Sequence, residues 1–476
     1  MNGTSTSGTN GSAPRATRTF GARVKRSGFI GVLLAAALLF GMCSATVAGA
    51  TTKASSGAHL TAAKVAPANE IGITATTIRI GLIADVNTPV QPGLFQQTVN
   101  EVRAWANIIN AHGGLAGRKV VIDFCDSQLN PNTTTNCVIH ACSSDFAIIN
   151  SALLLEDVSD LVDCKDAAGN AIGIPNVVGI ALNQTEECAP VSYLVTGGDP
   201  TYCATEKDNP QTYTIQVGDY RYYLSRFKNL HGIWIYDNDV ASLVTSYVPQ
   251  DTIAQKLGIK KDAEGIYTAA DAAPESALIP FVQDIKQYKS TMVEDGVSPG
   301  SMILLRREAD LQGVNTVKVW NCNSGCYDPN LFLKAGGATI DGTYTYISWL
   351  PFLTECHENA ELAALTKQLG GGCSALQGNA MNSFVAALLL QNAIQKAVAT
   401  GKTLDRASLF KALGTEHAFT ADGIIGPTNV ADHQPSPCVV IVQVIKGQWQ
   451  RVYPKKSGTF DCNPKNITQI KMNVTT

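Results

Sequence analysis

Long apolar runs are scarce in this chain. Beyond residue 50 no stretch is apolar enough, for long enough, to span a bilayer, which takes about 20 residues. No Cys-x-x-Cys pair occurs, and the seven histidines are scattered, so spacing suited to a zinc site is missing. There is no G-x-G-x-x-G. His357-Glu358 lacks the second histidine of a zinc-protease helix. Gly401-Lys402-Thr403 lacks its phosphate-loop glycine, because Lys396 stands in that place. Basic clusters are absent after residue 26. No metal, no cofactor, no nucleic-acid partner and no catalysis are therefore expected.

What is present begins with an address. Arg15, Arg18, Arg23, Lys25 and Arg26 precede an uncharged apolar run over 28–42, and Ala48 and Ala50 follow in A-x-A spacing. This is the pattern of a secretory signal peptide over 1–50, cleaved after Ala50. Two alternatives stay open: lipidation at Cys43, and an uncleaved anchor. In each the rest of the chain lies outside the cytoplasm, and the membrane is met only through signal, anchor or lipid. Without the signal's five basic residues the balance is 31 basic to 39 acidic, a net −8.

That compartment bears on the cysteines. Setting aside Cys43 leaves twelve, which fall into neighbours along the chain. The neighbours are Cys125 and Cys137, Cys142 and Cys164, Cys188 and Cys203, Cys322 and Cys326, Cys356 and Cys373, and Cys438 and Cys462. Local disulfides are expected in an oxidising space, although order along a chain does not determine connectivity.

About 425 residues remain, enough for two domains. Residues 51–70 are small, polar and aperiodic, the composition of a flexible leader. Then strands and helices alternate. Strands are expected at 76–85, 119–126, 146–150, 176–182 and 213–217. A second series runs through 231–237, 265–269, 301–306 and 316–320. Helices are expected at 98–114, over SLVTSYVPQDTIAQKLG, at 281–290 and at 383–401. The segment 438–453 reads as a hairpin turning at Lys446-Gly447. Two βα series predict two doubly wound α/β lobes, with ligands held outside the carboxyl ends of the strands.

EIGITATTIRIGLIADVNTPVQPG and INAHGGLAGRKV, followed in order by FVQDIKQYKS, YDPNLFLKAGGATIDGTYTYISWLPF and RASLFKALG, resemble type I periplasmic binding proteins of the leucine/isoleucine/valine-binding family. The likeness covers roughly 70–455. It implies a clamshell of two lobes joined by three crossings, which traps a small-molecule solute for the permease subunits of an ABC importer. Lobe one would comprise 71–218 and 353–433, and lobe two 219–352 and 434–476. The crossings would lie near Gly218-Asp219, Trp349–Phe352 and His433–Pro437. A sensing receptor of the same shape, or a secreted hydrolase, are the alternatives.

Site residues follow from topology and from the resemblance. Asn87 and Thr88 face the cleft by topology. Amino-acid-binding relatives use hydroxyl residues after the third and fourth strands; the corresponding loops here bring Asn150, Ser151, Leu153, Ala181 and Leu182. Asp219 falls near the acidic residue of the first crossing. Asp237 and Asn238 follow a strand, as turn residues or ligands. Arg306 and Arg307 stand where aromatic residues are common, and Asn321 and Asn323 where an acid is. The expected solute is an apolar or aromatic carboxylate, its anionic end facing Arg306 or Arg307. The leucines also admit a plain core reading, and the arginines a solvent-facing one.

Overall fold

The computed structural model describes residues 65–88, 93–153, 158–181, 184–205, 207–239, 241–267 and 275–475. The signal segment, Cys43 and the leader up to residue 64 lie outside them, as does Leu182. In β1 (Thr77–Ala84) all but Thr77 and Arg79 are buried, the pattern of a central strand covered on both faces. β2 (Lys119–Asp126) and β3 (Ala147–Ala152) flank it in parallel. β4 (Asn176–Val178) and β5 (Ser192–Leu194) complete the order β2-β1-β3-β4-β5. The order reverses beside β1, so this sheet is doubly wound.

Between these strands run α1 (Gln96–Ala111), α2 (Pro131–Ser144) and α3 (Gln184–Cys188). In α1, Val99, Val102, Trp105 and Ile109 form the buried stripe. The helix stops at Gly113 and Gly114, whose φ of 99° and 80° suits glycine. After α4 (Pro200–Thr205), β6 (Gln211–Gln216) leaves this sheet and leads into α5 (Gly218–Arg226).

The second sheet is built from β7 (His231–Asp237), β8 (Lys260–Lys261), β9 (Gly265–Tyr267), β10 (Met292–Asp295), β11 (Val319–Cys322) and β12 (Thr343–Ile347), all parallel. The helices α6 (Ala241–Leu257), α7 (Ile279–Tyr288) and α8 (Pro299–Leu311) alternate with these strands. The chain then returns to the first sheet through α9 (Phe352–Glu355), α10 (Ala360–Leu369), α11 (Gly378–Ala399) and α12 (Arg406–Leu413), with α11 packing on β3, β4 and α1. It re-enters the second sheet as the antiparallel hairpin β13 (Val440–Ile445) and β14 (Gln448–Tyr453), turning at Lys446-Gly447. Finally β15 (Ile467–Met472) lies antiparallel to β6. The chain thus passes between the sheets three times, after β5, β12 and α12. This is the α/β architecture of two parallel-sheet lobes in a clamshell.

The connectivity that cysteine order leaves open is strictly local. Disulfides join Cys125 to Cys137, Cys142 to Cys164, and Cys188 to Cys203. Three more join Cys322 to Cys326, Cys356 to Cys373, and Cys438 to Cys462. The Cys125–Cys137 bond ties the end of β2 to α2, and the Cys142–Cys164 bond ties α2 to the segment before β4. Apart from Cys322–Cys326, the bonds span 12 to 24 residues, each contributing roughly 3 kcal/mol in the chain-entropy model.

Four expectations need correction. Residues 301–306 are not a strand but the interior of α8. Pro299 sits in its first turn, Ser298 and Ser301 form a reciprocal capping box, and Met302, Ile303, Leu305, Arg306 and Ala309 recur at helical spacing. Among the strands absent from the expectations is β10, whose sequence MVED conceals a fully buried segment because its acids find partners in the fold. β6, expected within the first series, joins neither large sheet and pairs with β15. Residues 65–70, expected to be flexible, are tied down. Arg118 Nη2 donates to Ala66 O at 2.8 Å, and the Glu70 carboxylate accepts from the backbone N–H of Ala167 and of Arg406.

Candidate functional site

Parallel strands end at one edge of each sheet, and there the chain turns through polar loops. On the first sheet, two carboxylates fasten these turns. Asp85, fully buried at the end of β1, accepts from Ser127 Oγ at 2.6 Å and from the Leu129 N–H at 2.8 Å. Asp126, at the end of β2, accepts from the Val86 N–H at 3.0 Å and from the Asn87 side-chain amide at 2.5 Å. Asn87 is exposed but already committed to Asp126, whereas Thr88 is buried. The β1 loop is therefore a braced floor.

Asn150 and Ser151 stand in β3, Ala181 is half-buried beyond β4, and Leu153 is fully buried. Leu153 joins a core cluster with Cys137, Val138, Val158, Leu161, Cys164 and Ile174. The core reading of this leucine is the one its burial supports.

On the second sheet, the carboxyl ends of β10 and β11 meet the start of α5. Asn321 of β11 donates through Nδ2 to Asp219 Oδ2 at 3.0 Å and to Glu294 Oε2 at 2.7 Å. Tyr223 donates its hydroxyl to Asn321 Oδ1 at 2.8 Å. Asp219 and Glu294 are each 2 % exposed, and Asn321 is fully buried. Burial pushes the Asp219 carboxyl up to about 7, against the pull of the amides at the start of α5 and of Asn321. Burial, then the charge of Asp219, holds Glu294 well above the usual carboxylate range. Two separately expected site residues are thus bonded to each other. Glu294 and Tyr223 escape sequence reasoning; MVED and GDYRYYL carry no motif that marks them.

Asp237 is fully buried and accepts from the Asp239 N–H at 2.9 Å, while Asn238 is exposed in the turn. Asn323 accepts from the Gly325 N–H at 2.9 Å and so caps the short turn closed by Cys322 and Cys326.

The arginines do not stand where a strand end would have put them. Arg306 is 8 % exposed, donates to Thr343 Oγ1 at 2.8 Å and Asp341 O at 2.9 Å, and lies over the Trp320 ring at 4.9 Å. Arg307 is half-exposed and pairs with Glu275 at 3.7 Å. A cation is thus spent on helix–sheet packing, and the anion-facing role expected of the pair is withdrawn because α8 replaces the strand.

Among the described residues one cluster has metal-ligand chemistry, Cys356, His357 and Cys373. Its two sulfurs are bonded to each other, so it offers no thiolate.

A family model described as periplasmic binding protein matches residues 77–205 and 239–448. The chain belongs to the periplasmic binding protein family, with the type I fold. No curated protein sequence matches it. Among solved structures it resembles a fatty acid ABC transporter substrate-binding protein from Thermomonospora curvata, at TM-score 0.59 and 17% identity over 82% of this chain and 97% of that one. A leucine-binding protein, LivK, from Thermotoga maritima is similar at TM-score 0.58 and 15% identity, over 82% and 99% of the two chains. An ABC transporter substrate-binding protein from Aeropyrum pernix gives 0.58 and 17%, over 82% and 97%.

Proposed function

We propose that this protein works outside the cytoplasm, traps a small molecule between its two lobes and delivers it to an ABC importer. The observation that carries this reading is the threefold passage of the chain between two parallel sheets. That topology lets the halves hinge, and a solute touching both favours the closed form by its differential affinity. The family of the chain supports solute binding, and the ABC transporter proteins it resembles support the importer as partner.

The solute we assign is a carboxylate with an apolar body. Arg306 and Arg307 no longer support that choice. What supports it is the leucine pair at 154 and 155, where amino-acid-binding relatives are expected to carry serine or threonine, and the fatty-acid protein among the structural relatives. An anion holder is available at the start of α1, whose N-cap Phe95 supplies no side-chain hydrogen bond, so that the first-turn N–H groups beyond Gln96, itself bonded to Gly93 O, suit a carboxylate.

Thermal unfolding with octanoate and with leucine tests the assignment. Octanoate should raise the melting temperature in a concentration-dependent way and shrink the radius of gyration by X-ray scattering. A shift with leucine and none with octanoate would remove the solute assignment; a shift without contraction would remove the closure.

A further inference from the structure

Beside the first and third passages the surface is indented by a groove of about 470 Å3. It falls within the usual range of small-molecule sites, about 300–1,000 Å3. One wall is α5, through Gly218, Arg221, Tyr222 and Arg226; the other is the end of β14, through Tyr453 and Lys455. None of these is a candidate cleft residue.

The charge of the groove runs against that of the molecule. Past residue 50 the chain is acidic, yet among the described residues the charged side chains lining the groove are Arg221, Arg226 and Lys455 against Asp461 alone. The Asp461 carboxylate in turn accepts from Asn466 Nδ2 at 3.2 Å and from the Asn463 N–H at 3.3 Å. The Tyr222 and Tyr453 rings stack with centroids 5.4 Å apart and form a flat aromatic wall.

One of the cations, Arg221, is also built in. Arg221 donates to Asn466 Oδ1 at 2.6 Å. Asn466 is fully buried and donates onward to Pro437 O at 2.9 Å, in the third passage. At Gly218 an added Cβ would stand 2.7 Å from Val439 Cγ2, so the first and third passages touch directly beneath the groove.

We propose that this groove is a second ligand site, for an aromatic carboxylate, and that its occupant stiffens the passages on which the lobes move. The arginines present forked donors to the carboxylate, with Lys455 completing the cationic rim. The ring lies against the tyrosine pair. Asp461 disfavours anions of higher charge, such as phosphate esters. A bound anion couples through Arg221 and Asn466 to Pro437, and so changes the ease of hinging.

Benzoate is the probe, and amide hydrogen exchange on the full protein is the readout. Millimolar benzoate should slow exchange at least twofold in segments 218–226 and 451–461. The double variant Arg226→Ala, Lys455→Ala should lose most of that protection, with sodium chloride at equal ionic strength giving none. Both side chains are exposed, so an unchanged melting temperature without benzoate certifies the variant, and Lys455→Gln alone serves if it falls. Undiminished protection in the variant, protection reproduced by salt, or protection confined to segments 85–88 and 237–239 overturns the proposal. The last outcome would place benzoate at the strand ends and leave the transport reading intact.

Discussion

Asp219 and Glu294 share one hydrogen-bond donor, the side-chain amide of Asn321, at 3.0 and 2.7 Å. Both carboxyls are held above their unfolded values by burial, Asp219 at about 7. The sign follows from linkage. Between about pH 4 and 7 the unfolded Asp219 has released a proton that the folded one keeps, so stability falls as pH rises, by about 1.4 kcal/mol per unit, and Glu294 acts in the same direction. Asn321→Ala strips both acids of this donor and Tyr223 of its acceptor. It should cost about 2–3 kcal/mol at pH 8 and less at pH 5. Urea unfolding at the two pH values checks this; an equal cost at both would reduce Asn321 to a packing role.

Glu101 makes a cleaner case. It is fully buried in α1, where burial pushes its carboxyl up to about 8 despite bonds from Gln97 and the Gln377 N–H. Stability should therefore decline as pH rises from roughly 4.5 to 8. Glu101→Gln keeps the shape and removes the titration. Its melting temperature should exceed that of the parent by a few degrees at pH 7.5 and match it near pH 4. A parent-like pH profile in the variant would show that Glu101 ionises inside the fold.

How much of this was legible depends on where the information lay. β1, α1 and the terminal hairpin announce themselves, because Ile78, Ile80 and Leu82, or Val99, Val102 and Trp105, carry a local period that burial merely confirms. The disulfides are legible for the same reason: Cys125 and Cys137, or Cys438 and Cys462, lie close in sequence, and short loops close readily. β10 and β15 are not. Glu294 and Asp295 look like loop residues until Asn321 and Ser301 supply partners from elsewhere. SMILLR reads as a strand because its apolar run is too short to separate the two periods, and the capping box decides it. Asp219 stands out through its place near a crossing. Its partner in the fold does not, since nothing local couples residue 219 to residue 294.

Arg306 and Arg307 should behave oppositely on substitution. Arg306→Met abandons two hydrogen bonds and the Trp320 face, and should cost about 2–3 kcal/mol. Arg307→Ala loses one half-exposed ion pair, and its effect should stay within about 0.5 kcal/mol. Neither should change solute affinity more than about twofold, which is within 0.5 kcal/mol. Titration calorimetry with the solute found by the octanoate screen checks the last point. A tenfold loss on Arg306→Met alone would return that residue to the binding site.

The passage after β12 is clamped to the terminal hairpin by Glu355 and Arg451. Arg451 donates through Nε to Glu355 Oε1 at 2.6 Å and through Nη2 to Oε2 at 2.7 Å, a two-pronged pair with both side chains 6 % exposed. Such a pair is weak evidence of net stabilisation, because the desolvation of two charges opposes their attraction. Breaking it is another matter, since the survivor is left buried without its counter-ion. Glu355→Leu and Arg451→Met should each cost about 3–5 kcal/mol alone. Together they should cost much less than the sum, for neither charge remains, although the Gly458 N–H and the Thr459 carbonyl lose their partners. Denaturant unfolding of the four proteins measures the coupling, expected to be at least about 2 kcal/mol. Strict additivity would mean that the two side chains act separately, and that the hairpin is held to the passage by the apolar contacts of β14 instead.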